Sequence, residues 1–220
     1  MIKEIFLEAI GPIFWAAIQV TIPLTIISFI LGLILAIITA VARLQKNRLL
    51  RLIFDFYVWI FRGTPLLVQL FIVFYGLPSV GVKLDAWTAS VITLSLNAGA
   101  YASEAIRSAI LSIDPGQWDA AESLGMSKWM TLRLIIAPQA LRIALPPLSN
   151  SLISLVKDTS LAANITLVEM FLTSQRIAAR TYEPLLLYLI VALFYLILST
   201  LLTWLQGYLE QRSSRFVRKD

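Results

Sequence analysis

The sequence predicts an all-α integral membrane protein with five spanning helices, and three observations carry that expectation. Hydrophobic residues make up 59% of the 220-residue chain and charged residues only 14%, against roughly 45–50% and 25% in soluble domains. Four long runs carry no Asp, Glu, Lys or Arg: those between Glu8 and Arg43, Arg62 and Lys83, Asp85 and Glu104, and Glu183 and Glu210. Basic residues gather at the ends of these runs. A spanning helix needs about 20 mostly apolar residues, a length that a soluble core helix rarely reaches without a charge. The pattern therefore disfavours a soluble α-bundle.

Five spans fit best, at about residues 13–42, 54–79, 86–110, 141–165 and 184–208. The first follows an N-terminus with no basic region ahead of a short apolar core and a cleavage site, so it is expected to be retained rather than removed. The fourth has the weakest apolar signal, because it contains Pro146, Pro147, Lys157 and Asp158. Breaks of that kind are tolerated where neighbouring protein or a watery cavity satisfies the freed backbone groups. No tandem repeat or flexible linker divides the chain, and residues 1–220 are expected to form one transmembrane domain.

Basic residues set the orientation. Arg43, Lys46, Arg48 and Arg51 follow span one, and Arg107, Lys128, Arg133 and Arg142 lie between spans three and four. The tail adds Arg212, Arg215, Arg218 and Lys219, while only Lys3, Lys83, Arg176 and Arg180 fall on the other side. Cytoplasmic loops carry the excess of Lys and Arg, so the N-terminus is expected outside and the C-terminus inside. Trp15, Trp59, Trp87 and Trp204 fall near span ends, as interfacial aromatics do. The net charge of +5 is explained by this bias, and no nucleic-acid partner is expected.

With neither cysteine nor histidine, disulfides are excluded, and no metal or other cofactor is expected. A phosphate-binding loop of the G-x-x-x-x-G-K-[ST] type is also missing, so the chain is not expected to hydrolyse ATP or to be an enzyme.

The polar stretch 111–140 reads as two short helices around a turn. Asp114 is placed to cap the first, Pro115 opens it and Gln117 completes a capping-box-like arrangement. Gly125 supplies the stop, and Ser127 caps a second helix that is expected to end before Pro138. Trp118, Ala121, Leu124 and Met126 give the first helix an apolar side flanked by Asp119 and Glu122. Such an element either docks in a partner's groove or lies on lipid.

The spacing in this stretch resembles the EAA loop of bacterial ABC importer permeases: Glu-Ala-Ala, three residues, Gly, nine residues, then Ile-x-Leu-Pro. Here it reads Asp119-Ala120-Ala121, Gly125, then Ile135-Ile136-Ala137-Pro138, with Asp in place of Glu and Ala in place of Leu. Arg62-Gly63-Thr64-Pro65 with LLVQLFIVFYG, and the segments NAGAYASEAIR, SIDPGQWDAAESLG and PPLSNSLISLVKDTSLA, resemble the polar amino acid members of that family. The wording around YGLP, SIDPGQWDAA and NSLISLVKDTSLAA is most similar to L-cystine permeases.

The resemblance implies a type I permease fold in the bacterial cytoplasmic (inner) membrane. It also implies an ATP-binding-cassette ATPase dimer as partner, coupled through Asp119, Ala120, Ala121, Glu122 and Gly125. A second permease copy or paralogue and an extracytoplasmic solute-binding protein complete the implied assembly. Arginine, histidine and glutamine are alternative cargoes to cystine.

Charges inside spans are costly, by roughly 2.5–3.5 kcal/mol each on insertion scales, and default to functional candidates. Asn97, Tyr101 and Glu104 share one face of span three, and Asn150, Ser154, Lys157 and Asp158 form a comparable stripe on span four. Arg62 sits beside the Gly-Thr-Pro break. An amino acid zwitterion needs a cation and an anion: Arg62 or Lys157, with Glu104 or Asp158. Glu169, just past span four, is a candidate gate residue. Purely structural roles remain open, with Glu104 paired to Arg107 and Lys157 neutralising Asp158. An ion-coupled secondary transporter is the rival class, although the inverted repeat expected of many such transporters is not evident.

Overall fold

The structure, a computed structural model, describes residues 2–214; Arg215, Arg218 and Lys219 of the basic tail lie outside the described residues. Among the described residues the chain is helical, without strands. Helix α1 (Ile2–Ala16) continues through one wide turn, Ala17–Thr21, into α2 (Ile22–Arg43). Helix α3 (Arg48–Gly63) is followed by α4 (Leu66–Phe71), α5 (Ala86–Leu111), α6 (Pro115–Ser123), α7 (Lys128–Thr131) and α8 (Ala137–Asp158). After a tight turn over Thr159–Ile165, α9 (Met170–Thr181) and α10 (Pro184–Ser214) close the fold.

Among the described residues, two helices are long and apolar enough to cross a membrane, Lys3–Arg43 and Pro184–Arg212. The pair Arg48–Gly63 and Leu66–Val80 qualifies as one broken element, bent by 107°. The region read as a span over 54–79 is therefore two helices meeting nearly at a right angle. Gly63-Thr64-Pro65 is the cause, because proline disfavours helical backbone in the residue before it. Thr64 is accordingly extended, with φ −121° and ψ 148°. Helix α5 is less apolar because it packs on other helices largely through Ser, Thr, Ala and Gly, while α8 buries Ala140, Ala144, Leu148, Leu155 and Val156 and keeps its polar residues on other faces.

Three prolines sit just after wide, π-helical turns: Pro23 after Ala17–Thr21, Pro78 after Ile72–Gly76 and Pro138 after Leu132–Ile136. A helical proline lacks an N–H, and its ring presses on the carbonyl four residues back. An extra residue in the preceding turn moves that carbonyl aside. The helix expected to end before Pro138 does not end there; α7 runs through its wide turn into α8, which also continues through Pro146 and Pro147.

The closest packing joins α2 to α5. A Cβ added at Gly32 would lie 3.1 Å from Ser95 O and 3.2 Å from Ala98 Cβ. One added at Gly99 would meet the Tyr57 hydroxyl at 2.9 Å and Gly32 O at 3.1 Å. Small residues at a helix crossing let backbones approach and pack by dispersion, the main attraction left where lipid is as apolar as the side chains. Tyr57 then fastens α3 across α5, donating to Leu96 O at 2.6 Å. Around this crossing, Ala36, Ala102, Ala109, Ile136 and Ala144 form one core, while Ala9, Ile13, Met170, Leu187 and Ile190 form another that binds α1, α9 and α10.

Overpacking of this kind typically costs 1–3 kcal/mol. Gly32→Ala is expected to cost about 1 kcal/mol and Gly32→Leu about 3 kcal/mol, read as successive falls in the thermal unfolding midpoint of the purified chain. An unchanged midpoint for Gly32→Leu would mean that the helices do not meet there.

Candidate functional site

The bend between α3 and α4 opens a cavity of about 510 Å³ against α5 and α8. Its lining includes Thr64, Asn97, Tyr101, Asn150, Ser154 and Asp158. On α8, Pro147, Asn150, Ser154 and Asp158 recur at steps of three or four, so one face of that helix supplies a whole wall. Asn97 and Tyr101 of α5 thus face the same space as Asn150, Ser154 and Asp158 of α8.

A broken helix leaves carbonyls without partners, and here side chains take them. The Gln69 amide nitrogen lies 2.9 Å from Phe61 O, 3.1 Å from Thr64 O and 2.9 Å from Thr64 Oγ1. Asn97 Nδ2 donates to Gln69 Oε1 at 3.0 Å and lies 3.3 Å from Phe61 O. Asn97 is therefore partly committed to holding the hinge. Gln69 was missed by sequence reasoning; its signal was an amide alone in the apolar run that follows the Gly-Thr-Pro break.

The charges divide into different roles. Asp158 is half-buried in the cavity wall, whereas Lys157 is exposed and is not among the lining residues. Arg62 lies over the Tyr101 ring, 5.4 Å from its centroid, at the cavity edge. Glu104, one turn further along α5, is occupied. It accepts from Arg43 Nη1 at 2.6 Å and from Arg107 Nη2 at 2.5 Å, with Arg62 Nη1 at 3.9 Å. Arg43 also donates to Asp55 at 2.6 Å. This cluster ties the end of α2 to α3 and α5; from sequence Arg43 had carried only an orientation signal, and Asp55 only its seven-residue spacing from Arg48 and Arg62.

Glu169 lies apart from the cavity and is fully buried. It caps α9, accepting from Phe171 N at 2.8 Å and Leu172 N at 2.7 Å, and the Tyr195 hydroxyl donates to it at 2.7 Å. Its lone pairs are used in joining α9 to α10. The buried carboxylate is thus satisfied without a cation.

In the 111–140 loop, Asp114 Oδ1 accepts from Gly116 N at 2.6 Å, starting α6. Gly125 ends it at φ +74°, with Gly125 N donating to Glu122 O at 2.9 Å and Met126 N to Ala121 O at 3.1 Å. That left-handed closure requires glycine for low strain. The apolar side splits differently from the sequence reading. Ala121 is only 1% exposed, and Trp118 packs inward on the α5–α8 core. Asp119, Ala120 and Glu122 are exposed, and Leu124 is 80% exposed. Ala121 is thus held by its own chain, because α6 is too short to stand free and needs one face for anchorage. Among the described residues, no group of three or more His, Cys, Asp or Glu is placed to hold a metal.

Removing one partner of a buried ion cluster costs about 3–5 kcal/mol, and Glu104 keeps 23% exposure, which reduces that figure. Glu104→Gln is expected to cost about 2 kcal/mol and to lower the thermal midpoint of the purified chain, whereas Lys157→Gln leaves it unchanged. An unaltered midpoint in Glu104→Gln would remove the cluster from the account of stability.

Known proteins share this sequence pattern and this fold. The family model described as "Binding-protein-dependent transport system inner membrane component" matches residues 29–215. The L-cystine transport system permease protein TcyB of Bacillus subtilis is 51% identical over 213 residues, covering 96% of this chain and 91% of that protein. The probable amino-acid ABC transporter permease protein YckA of the same organism is 41% identical over 197 residues, covering 90% and 87%. A crystal structure of an amino acid ABC transporter with histidines superposes with a TM-score of 0.86 at 33% identity, covering 92% of this chain and 94% of that one. By sequence and by fold, the chain belongs to the family of binding-protein-dependent transport system inner membrane components.

Proposed function

We propose that this chain forms the substrate pathway of an ATP-binding-cassette importer for L-cystine. Family membership makes it a membrane permease subunit of an amino acid importer. The cystine reading is supported by the likeness to TcyB, whose name carries that substrate. The cavity suits such a cargo in kind. Its volume of about 510 Å³ lies within the roughly 300–1,000 Å³ of small-molecule sites. Amides and hydroxyls from Asn97, Asn150 and Ser154 are offered beside apolar Leu66 and Leu155. Asp158 in the wall and Arg62 over Tyr101 provide one anion and one cation for a zwitterion.

The observation that carries the mechanism is continuity. Lys128 to Asp158 form one helical rod, from the turn beside α6 to the cavity wall. In this reading five helices cross the membrane, with the N-terminus outside and the C-terminus at the cytoplasm, as the basic residues indicate. An ATPase dimer grips the exposed side of α6 at Asp119, Ala120, Glu122 and Leu124. A second copy of the chain, or a paralogue, completes the passage, and a solute-binding protein delivers cargo from outside. ATP binding draws the paired α6 helices together, and the α7–α8 rod carries that displacement to Asn150, Ser154 and Asp158.

Cells carrying the gene are expected to accumulate radiolabelled cystine, and cells lacking it to lose that uptake while arginine, histidine and glutamine uptake is unchanged. Asp158→Asn is expected to reduce cystine uptake at least tenfold with normal chain levels. Leu124→Arg is expected to release a co-purifying ATPase without unfolding the chain. Loss of a different amino acid would overturn the cystine assignment alone. Uptake by the purified chain without an ATPase would overturn the importer reading.

A further inference from the structure

The outer side of α3 takes part in neither the cavity nor the loop. This helix presents three rows. Leu50, Tyr57, Val58 and Phe61 are buried or half-buried against the bundle. Leu49, Leu52, Ile53, Phe56 and Trp59 are all exposed, with the Phe56 and Trp59 rings stacked 5.8 Å apart and Trp59 70% exposed. Beside the start of that apolar row, Lys46, Arg48 and Arg51 are exposed as well. They form no ion pair with any described residue, whereas Arg43, just before them, is engaged by Asp55 and Glu104.

The placement of α3 is unusual for a spanning helix. Tyr57, Phe61 and Arg62 all reach residues 96–104 of α5, so the last two turns of α3 are held on that helix. Helix α3 also meets Leu66–Val80 at 107°. Asn47 fixes where it begins, its side chain accepting from Leu49 N at 3.0 Å and Leu50 N at 3.2 Å, so the cations are held at one end of the apolar row. Leu44, ahead of the cap, packs in the same core as Trp118 of α6, which puts this end of α3 on the side of the 111–140 loop.

We propose that residues 46–59 form a seat for an anionic phospholipid. Lys46, Arg48 and Arg51 hold the phosphate head group, and the acyl chains lie along Leu52, Phe56 and Trp59. An amphipathic helix with an aromatic-rich apolar face and adjoining cations is suited to the membrane interface. Basic side chains beside an anionic leaflet contribute about fivefold each in affinity. The continuity of cations with an apolar row favours a lipid over an acidic protein surface, which would match the cations but leave the row uncovered. The inference is independent of the cargo.

The test uses the membrane complex purified through a tag on this chain and placed in phosphatidylcholine nanodiscs. Brominated phosphatidylglycerol or brominated phosphatidylcholine is added at equal mole fraction, and the Trp59 signal is the difference between wild type and Trp59→Phe. Phosphatidylglycerol is expected to quench it several-fold more strongly. In Lys46→Gln/Arg48→Gln/Arg51→Gln the two lipids should become equal, with quenching itself retained. The same variant should also retain less phosphatidylglycerol through purification in detergent, a readout that does not depend on Trp59. Equal quenching in wild type, or a preference that survives the triple substitution, overturns the proposal. So does quenching by neither lipid, which would place a second copy over α3. Loss of accompanying subunits in lipid-free detergent with lipid preference unchanged would assign the cations to a protein partner instead.

Discussion

Where α2 crosses α5, Gly32 and Gly99 bring two backbones so close that a single methyl group on either would meet main-chain atoms at 3.1 Å. Much of the molecule's functional geometry follows from that contact. It sets the rotation of α5, so that Asn97 and Tyr101 turn toward the cavity and Glu104 toward Arg43. It also leaves room for Tyr57 to reach Leu96 O, which fastens α3 across the pair. A larger residue at either position would separate the helices and misdirect all of these side chains together.

A polar cavity inside an apolar bundle is stable only if its walls are satisfied when empty. The hinge at 63–65 meets that need locally, since Gln69 and Asn97 take up carbonyls that the break exposes. The arginines at the neighbouring level are neutralised by Glu104 and Asp55, which keeps strong charges ordered at the cavity's edge. Asp158 remains in the wall without a cation within ion-pairing distance among the described residues. That separates Asp158 from Glu104, whose oxygens are held by Arg43 and Arg107, and from Glu169, which is held by the start of α9 and by Tyr195.

Helix continuity through the prolines has an equally local origin. Wide turns ahead of Pro23 and Pro138 absorb those prolines without breaking the helices, and the one ahead of Pro78 leads into a closing 3-10 turn, Leu77–Val80. The turn before Pro138 lies between the loop and the cavity wall, so the rod is continuous and still has one loosened turn. Ala121 and Trp118 root α6 on the core, leaving Ala120 and Leu124 outward.

The helical membrane class, the family likeness and the Asp114 and Gly125 ends of α6 were legible in the chain alone, because these depend on composition and on neighbours within a few residues. Charge-free runs, the Asp114–Pro115 start and Gly125 are signals of that local kind. Periodicity also placed Asn97 with Tyr101, and Asn150 with Ser154, on common faces. Which faces meet was settled by three-dimensional packing. It turned Lys157 outward, spent Glu104 on Arg43 and Arg107, used Glu169 to cap α9, and directed Ala121 into its own chain. Periodicity fixes the angle of a side chain around its helix axis, but whether that angle points at lipid, cavity or core depends on partners distant in the chain, here on two glycines 67 positions apart.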